Sequence, residues 1–149
     1  MAAQLMREAD TARIDAVTHD GKGIAATSGK KVFVAGALEG EEVRFRRRKK
    51  RRNYDEAELL EVLSPSPERI QPRCAVFGVC GGCSLQHIDD TAQQEIKQQA
   101  LRDALERIGK VEPARWLPPL VESPWNYRRR ARLAVKYVAG KGRVLVGFR

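Results

Sequence analysis

The stretch DGKGIAATSGKKVFVAGALEGEEVRF, residues 20–45, decides the fold. Its apolar residues fall in short runs, and glycine returns every few positions, at Gly21, Gly23, Gly29, Gly36 and Gly40. This is the punctuation of short strands joined by tight turns, not the period of a helix. Asp20-Gly21-Lys22-Gly23 predicts a turn with room for a bulge, and Ser28-Gly29 predicts a two-residue hairpin into Lys31-Val32-Phe33-Val34. A further strand follows at Glu42-Val43-Arg44-Phe45. Upstream, Ile14, Ala16 and Val17 begin a strand. Downstream, residues 57–63 form the last one, which stops at Ser64-Pro65-Ser66-Pro67 because proline cannot join a sheet interior. Four or five strands in about fifty residues are too few for a sandwich. They fit a small closed barrel of the OB type, whose faces and loops often bind single strands.

The whole chain has 149 residues, 42% apolar and 32% charged, an ordinary composition for a folded protein of one large domain or two small ones. Its longest apolar stretch, residues 32–38, is far below the ~20 residues of a membrane-spanning helix. No apolar block follows a basic start, so no secretory leader is expected. With three cysteines a fully paired disulfide framework is ruled out, and the expected setting is cytoplasmic, with thiols reduced.

Charge is unevenly placed. Residues 44–52 read RFRRRKKRR, eight cations and no acid, and residues 126–149 hold eight more, again without an acid. These segments carry +16 of an overall +9, which leaves the rest of the chain at −7. A mildly acidic body with two basic patches suits a polyanion. The alternatives are a solvated face or a membrane-surface element, but Phe45 alone is a poor apolar anchor. Charge selects nucleic acid as partner without choosing RNA or DNA. Arg46, Arg47, Arg48, Lys49, Lys50, Arg51 and Arg52 are the candidate contacts of the first patch.

After the Ser-Pro linker comes Cys74-Ala75-Val76-Phe77-Gly78-Val79-Cys80-Gly81-Gly82-Cys83. Three thiols within ten residues repel once ionised unless a cation or cluster holds them, and the glycines let backbone N–H groups turn toward sulfur. The alternatives are inert buried thiols or a disulfide. His87 could complete a Cys₃His zinc site. Equally, a fourth thiolate from elsewhere could complete an iron–sulfur cluster. Local chemistry leaves both open.

Residues 89–108 read as a helix, with a capping box at Thr91-Ala92-Gln93-Gln94, a core-packing stripe of Ile96, Ala100, Ala104, Leu105 and Ile108, and Gly109 as its stop. Residues 132–138 and 144–148 form a second hairpin around Gly140-Lys141-Gly142. It ends at Arg149 without a cap or tail, as a truncated chain would. In Trp125-Asn126-Tyr127-Arg128-Arg129-Arg130-Ala131-Arg132-Leu133, an extended strand would set Arg128, Arg130 and Arg132 on one face, suited to phosphate forks and base stacking. The alternative is an edge strand guarded by charge.

These motifs in this order resemble one family. They are the Gly21–Ala25 and Lys31–Glu41 segments, Ser66-Pro67-Glu68-Arg69, the three cysteines with His87, and Tyr127-Arg128-Arg129-Arg130-Ala131-Arg132-Leu133. The resemblance is to the N-terminal part of the bacterial ribosomal-RNA uracil-5-methyltransferases of the RlmD (RumA) type, from about residue 13 to the last residue. It implies an α+β chain: residues 1–11 disordered, 12–64 a TRAM RNA-binding barrel of OB-like fold, 65–88 a linker with the cysteine cluster, and 89–149 a helix and β-hairpin from an incomplete central RNA-binding domain. It implies ribosomal RNA as partner, with no membrane and no obligate protein partner. By the same resemblance Cys74, Cys80 and Cys83 ligate a [4Fe–4S] cluster whose fourth cysteine this sequence lacks. The cluster would be a structural pin, because methyl transfer from a sulfonium needs no redox step. The family's S-adenosylmethionine site and catalytic nucleophile, which attacks C6 of an extruded uracil, have no counterpart here. No catalytic residue is therefore assigned, and the chain is expected to be inactive alone. Arg132 is the arginine expected to approach the active site.

Overall fold

The computed structural model describes residues 9–27 and 29–148. Most of the disordered stretch expected at 1–11, together with Ser28 and Arg149, lies outside the described residues.

Six strands build the first half: β1 (Asp10–Arg13), β2 (Ala16–Val17), β3 (Lys22–Thr27), β4 (Lys30–Ala35), β5 (Glu42–Lys50) and β6 (Tyr54–Ser64). They form one mixed sheet in the order β1-β5-β6-β4-β3-β2, with β4 and β6 parallel and every other pair antiparallel. β1 and β2 are consecutive in the chain yet pair at opposite edges, β1 with β5 and β2 with β3. Residues 10–17 thus bend the sheet into a barrel-like shape, helped by the Ile14 N–H, which donates to Glu41 O at 2.9 Å.

Alternation fills the interior. Val32 and Val34 of β4, Val43 and Phe45 of β5, Ala25 of β3 and Ala57 of β6 meet Ile14 and Ala37 in one buried cluster. Gly23 faces this core, where an added Cβ would stand 2.9 Å from both Ala37 Cβ and Ile14 Cγ2. The predicted hairpin forms, pairing Thr27 with Lys30 around a left-handed Gly29. Two expectations are corrected. Residues 10 and 11 belong to a strand rather than a frayed end, and the last strand begins at Tyr54 instead of residue 57. Its first turn of sequence, Asp55 and Glu56, disfavours strand intrinsically, but its carboxylates face the cations of β5.

A second buried cluster, Leu38, Leu85, Ile88 and Ala92, fastens the helix α1 (Asp90–Asp103) to the barrel. Gly21, at φ +82°, allows this approach: a Cβ there would meet Leu85 Cδ2 at 2.7 Å and Ser84 O at 2.8 Å. Asp89, not Thr91, caps the helix, accepting from the Thr91 N–H at 2.9 Å. The Gln93 side chain, next along, donates to Ile88 O at 2.9 Å. Residues Ala104–Gly109 widen to a π turn, and the end comes at Lys110, whose φ of 51° is left-handed, instead of at Gly109. The expected core stripe is corrected too. Only Ile96 packs on the buried cluster, while Ile108 is 83% exposed because the barrel wall does not extend to the far end of the helix. β7 (Ala134–Val138) and β8 (Arg143–Gly147) form the predicted hairpin through a 3₁₀ turn at Ala139–Lys141.

Candidate nucleic-acid interface and cysteine loop

The basic run lies on β5 and in the turn after it, opposite the acids of β6. Arg46 donates to Glu58, Arg48 reaches Glu58 at 2.6 Å, Arg44 reaches Glu61 at 2.6 Å and Lys49 reaches Glu56 at 3.5 Å. Arg47 lies on the core side, holding Asp10 at 2.7 Å, Asp55 at 2.5 Å and the Thr27 hydroxyl at 2.7 Å. Arg46, Arg47, Arg48 and Lys49 are therefore engaged within the barrel. Lys50, Arg51 and Arg52 are exposed at the β5–β6 turn and form no ion pair among the described residues. The turn itself is held firmly: Arg51 N–H donates to Tyr54 O at 2.9 Å, and Lys30 Nζ donates to Arg51 O.

Asp55 is the hub beneath this turn, 2% exposed and 2.6 Å from Lys30 Nζ. Lys30 foremost, against the opposing push of burial and with the help of Arg47, holds its carboxyl down to about 2 from the usual 3.8. A depressed carboxyl contributes stability that is complete above the ordinary value and lost as pH falls through the folded one. Asp55→Asn should melt earlier than the parent at pH 7, and it should lose part of the steep acid decline between pH 4 and 2. Thermal melts across that range check both.

The second basic segment does not form the expected strand. Residues 127–133 have no strand pairing, and β7 starts only at Ala134, so Arg128, Arg130 and Arg132 are not set on one face of a sheet. With no neighbouring strand to accept its hydrogen bonds, this run of four cations in five residues stays as an exposed connection. Arg128 is placed by stacking, its guanidinium 5.5 Å from the Tyr127 ring centre and 5.3 Å from that of Phe148.

Tight turns shape the cysteine loop, with Phe77 N–H on Cys74 O, Cys80 N–H on Val76 O and Gly78 at φ +79°. It docks on β8: Gly81 N–H donates to Phe148 O at 3.1 Å, and an added Cβ on Gly147 would sit 3.3 Å from Cys80 Sγ. Cys74 and Cys80 are half-buried and Cys83 is exposed. Three thiols on one short loop are the donor chemistry of a thiophilic metal or cluster. Among the described residues, however, no three cysteine, histidine or carboxylate groups are gathered into a coordination shell. His87, the candidate fourth ligand, is not gathered with the thiols among the described residues, and neither of its ring nitrogens has a hydrogen-bond partner there. It is 2% exposed at the barrel boundary, with its backbone tied to Ile70 and its ring 5.4 Å from Phe77. Burial first, then the charge of Arg69, pushes its imidazole down to about 4, so it is neutral at pH 7.

Sequence reading missed the joint between barrel and linker. Glu41 is fully buried, and Arg69 meets it two-pronged, Nε on Oε1 at 2.5 Å and Nη2 on Oε2 at 2.8 Å. The same carboxylate accepts from the Leu38 N–H at 2.8 Å and the Ser66 N–H at 3.2 Å, while Arg69 Nη2 also donates to Gly36 O. The acid's place between Gly40 and a strand start was the available signal. Its partner, 28 residues away, carried none.

No protein-family model matches the chain. Comparison with known proteins nevertheless places its likeness: along nearly its whole length the chain is similar to one part of bacterial 23S rRNA (uracil-C5) methyltransferases. Among these relatives, it is 53% identical over 146 residues to the 23S rRNA (uracil(1939)-C(5))-methyltransferase RlmD of Nitrosococcus oceani, which covers 97% of the chain and 33% of that protein. The RlmD proteins of Alkalilimnicola ehrlichii, 52% identical over 146 residues, and Methylococcus capsulatus, 50% identical over 145, match it to the same extent. The chain spans about a third of the length of the curated relatives it matches. No helix among the described residues is long and apolar enough to cross a membrane.

Proposed function

We propose that this polypeptide is the RNA-gripping part of an S-adenosylmethionine-dependent methyltransferase acting on a uracil of 23S rRNA in the cytoplasm. The carrying observation is the identity of about half its residues to RlmD proteins along nearly its whole length. Residues 12–64 act as a TRAM barrel of the OB type, and 65–88 carry the cysteine loop. Residues 89–149 supply a helix and hairpin to a central RNA-binding domain. Phosphate contacts from Lys50, Arg51 and Arg52, with Arg130 and Arg132, would fix the RNA's register without reading its bases. Arg46, Arg47, Arg48 and Lys49 add positive field while bracing the barrel.

Cys74, Cys80 and Cys83 would hold the [4Fe–4S] cluster, which when bound supplies a cross-link rather than an electron. The loop's docking on Gly147 and Phe148 supports this reading, because a ligand drawn by the loop would also fix β8 and Arg128. S-adenosylmethionine and the nucleophile would come from protein outside these residues.

Salt-dependent RNA binding tests the proposal. Each phosphate contact on a single strand contributes about 0.7 to the slope of log affinity against log salt. Neutralising Lys50, Arg51 and Arg52 together should flatten that slope by about 2 and leave the melting temperature unchanged. Arg46→Gln should act the other way, lowering the melting temperature with little change of slope. An unaltered slope in the triple variant would count against the assigned contacts, and no RNA binding at low salt would sink the proposal.

A further inference from the structure

α1 separates two grooves of opposite character. Along one side, shared with the barrel, run Glu39, Glu68, Glu95 and Asp103 against Arg107 alone, a lining that repels a polyanion. On the other side, between the start of α1, the cysteine loop and residues 124–128, lies an open cleft of about 550 Å³. Its cations are Arg73, Lys97 and Arg128, and Asp90 is the one carboxylate among its described lining residues. Trp125, Tyr127 and Phe148 supply aromatic surface. Gln71, Gln93 and Asn126 add amides that both donate and accept.

The aromatic surface is already organised. Arg73 stacks on Trp125 at 5.3 Å, and Arg128 lies against both Tyr127 and Phe148. Trp125 is held by Ser123, whose hydroxyl donates to Trp125 O at 3.1 Å and accepts from Trp125 N–H at 3.4 Å. From α1, Asp90, Gln93 and Lys97 fall at helical spacing, so one helical face delivers an amide and a cation into the cleft. Planar π surfaces, fixed guanidinium groups and amides together match an unpaired nucleotide: stacking for the base, charge for the phosphate, amides for the base edge. A duplex would keep its bases stacked on one another and leave these rings without partners.

We infer that this cleft is a base-stacking site for single-stranded RNA, with Trp125 and Arg73 as its platform. The inference rests on the RNA-binding reading above and assigns a second contact region, separate in character from the purely electrostatic β5–β6 turn.

The test uses the whole chain with Trp116→Phe, which leaves Trp125 as its one tryptophan. A fluorescently labelled single-stranded oligoribonucleotide of about twelve residues, long enough for the site sizes of such folds, is titrated at low salt. Trp125 emission and RNA anisotropy are read together. RNA should quench Trp125. Arg73→Gln and Trp125→Ala should each weaken binding by about tenfold, as loss of one stacked base does. Unlabelled duplex RNA should compete poorly. Arg73 is exposed, so Arg73→Gln keeps the test valid if Trp125→Ala proves unstable. Binding with unaltered Trp125 emission and undiminished affinity in Arg73→Gln would overturn the inference and leave the β5–β6 turn as the RNA contact. Equal competition by duplex, or equal affinity for uridine monophosphate alone, would also overturn it. Absence of any RNA binding by the parent would remove both readings.

Discussion

Arg69→Met should lower the unfolding free energy by about 3–5 kcal/mol, the usual cost of stranding one member of a buried ion pair. Glu41 is wholly enclosed, and Arg69 supplies both of its charged hydrogen bonds. Burial pushes the Glu41 carboxyl up. Arg69, with the Leu38 and Ser66 N–H groups, outweighs that and holds it below its ordinary value. Without the guanidinium, the carboxylate must keep its charge in an apolar wall or take up a proton. The loss should therefore be greatest near neutral pH and shrink as acid protonates Glu41 in the variant. Glu41→Gln should cost less, since Arg69 still reaches water through its partly exposed edge. Urea unfolding at pH 7 and pH 5 measures both variants. A loss under 1 kcal/mol for Arg69→Met would mean that the clamp contributes little to the fold.

Phe45→Ala is the second large effect expected, at about 3–5 kcal/mol for deleting a fully enclosed aromatic side chain. Phe45 is 0% exposed and heads the buried side chains of the barrel by size. Val146→Ala on β8, with that valine 61% exposed, should change stability by less than about 0.5 kcal/mol. The pair of variants, compared by urea unfolding, locates the stabilising core in the barrel and not in the hairpin. Comparable losses from both would refute that division.

What could be read in advance followed locality. Residues 20–45 revealed strands and turns because each signal lay within a few positions: the runs at 31–34 and 42–45, and the turn glycines Gly21 and Gly29, both left-handed. The second hairpin was legible for the same reason. Pairings between distant residues were not. The arginines of 44–48 looked uncompensated because Glu58 and Glu61 lie ten or more positions further on, brought opposite them by the antiparallel register. The same register drew Asp55 into β6, and Tyr54 joins it through the parallel pairing with Lys31 of β4. At residues 127–133 the alternation suggested a strand, but strand formation needs a partner, and none adjoins it. In α1, the apolar period gave the helix and could not give how far along it the barrel wall extends. For the cysteines, spacing announced metal chemistry, while among the described residues no shell is gathered and His87 lies buried at the barrel boundary.

The bent segment at residues 10–17 has a consequence for how the molecule comes into being. Asp10 finds its partner at Phe45, and β6, which completes the circuit by bridging β5 and β4, ends only at Ser64. A ribosome making this protein thus delivers the seam first and its closing neighbours last. Until residue 64 has emerged, the nascent polypeptide carries unsatisfied ladders, the state most open to association with other chains.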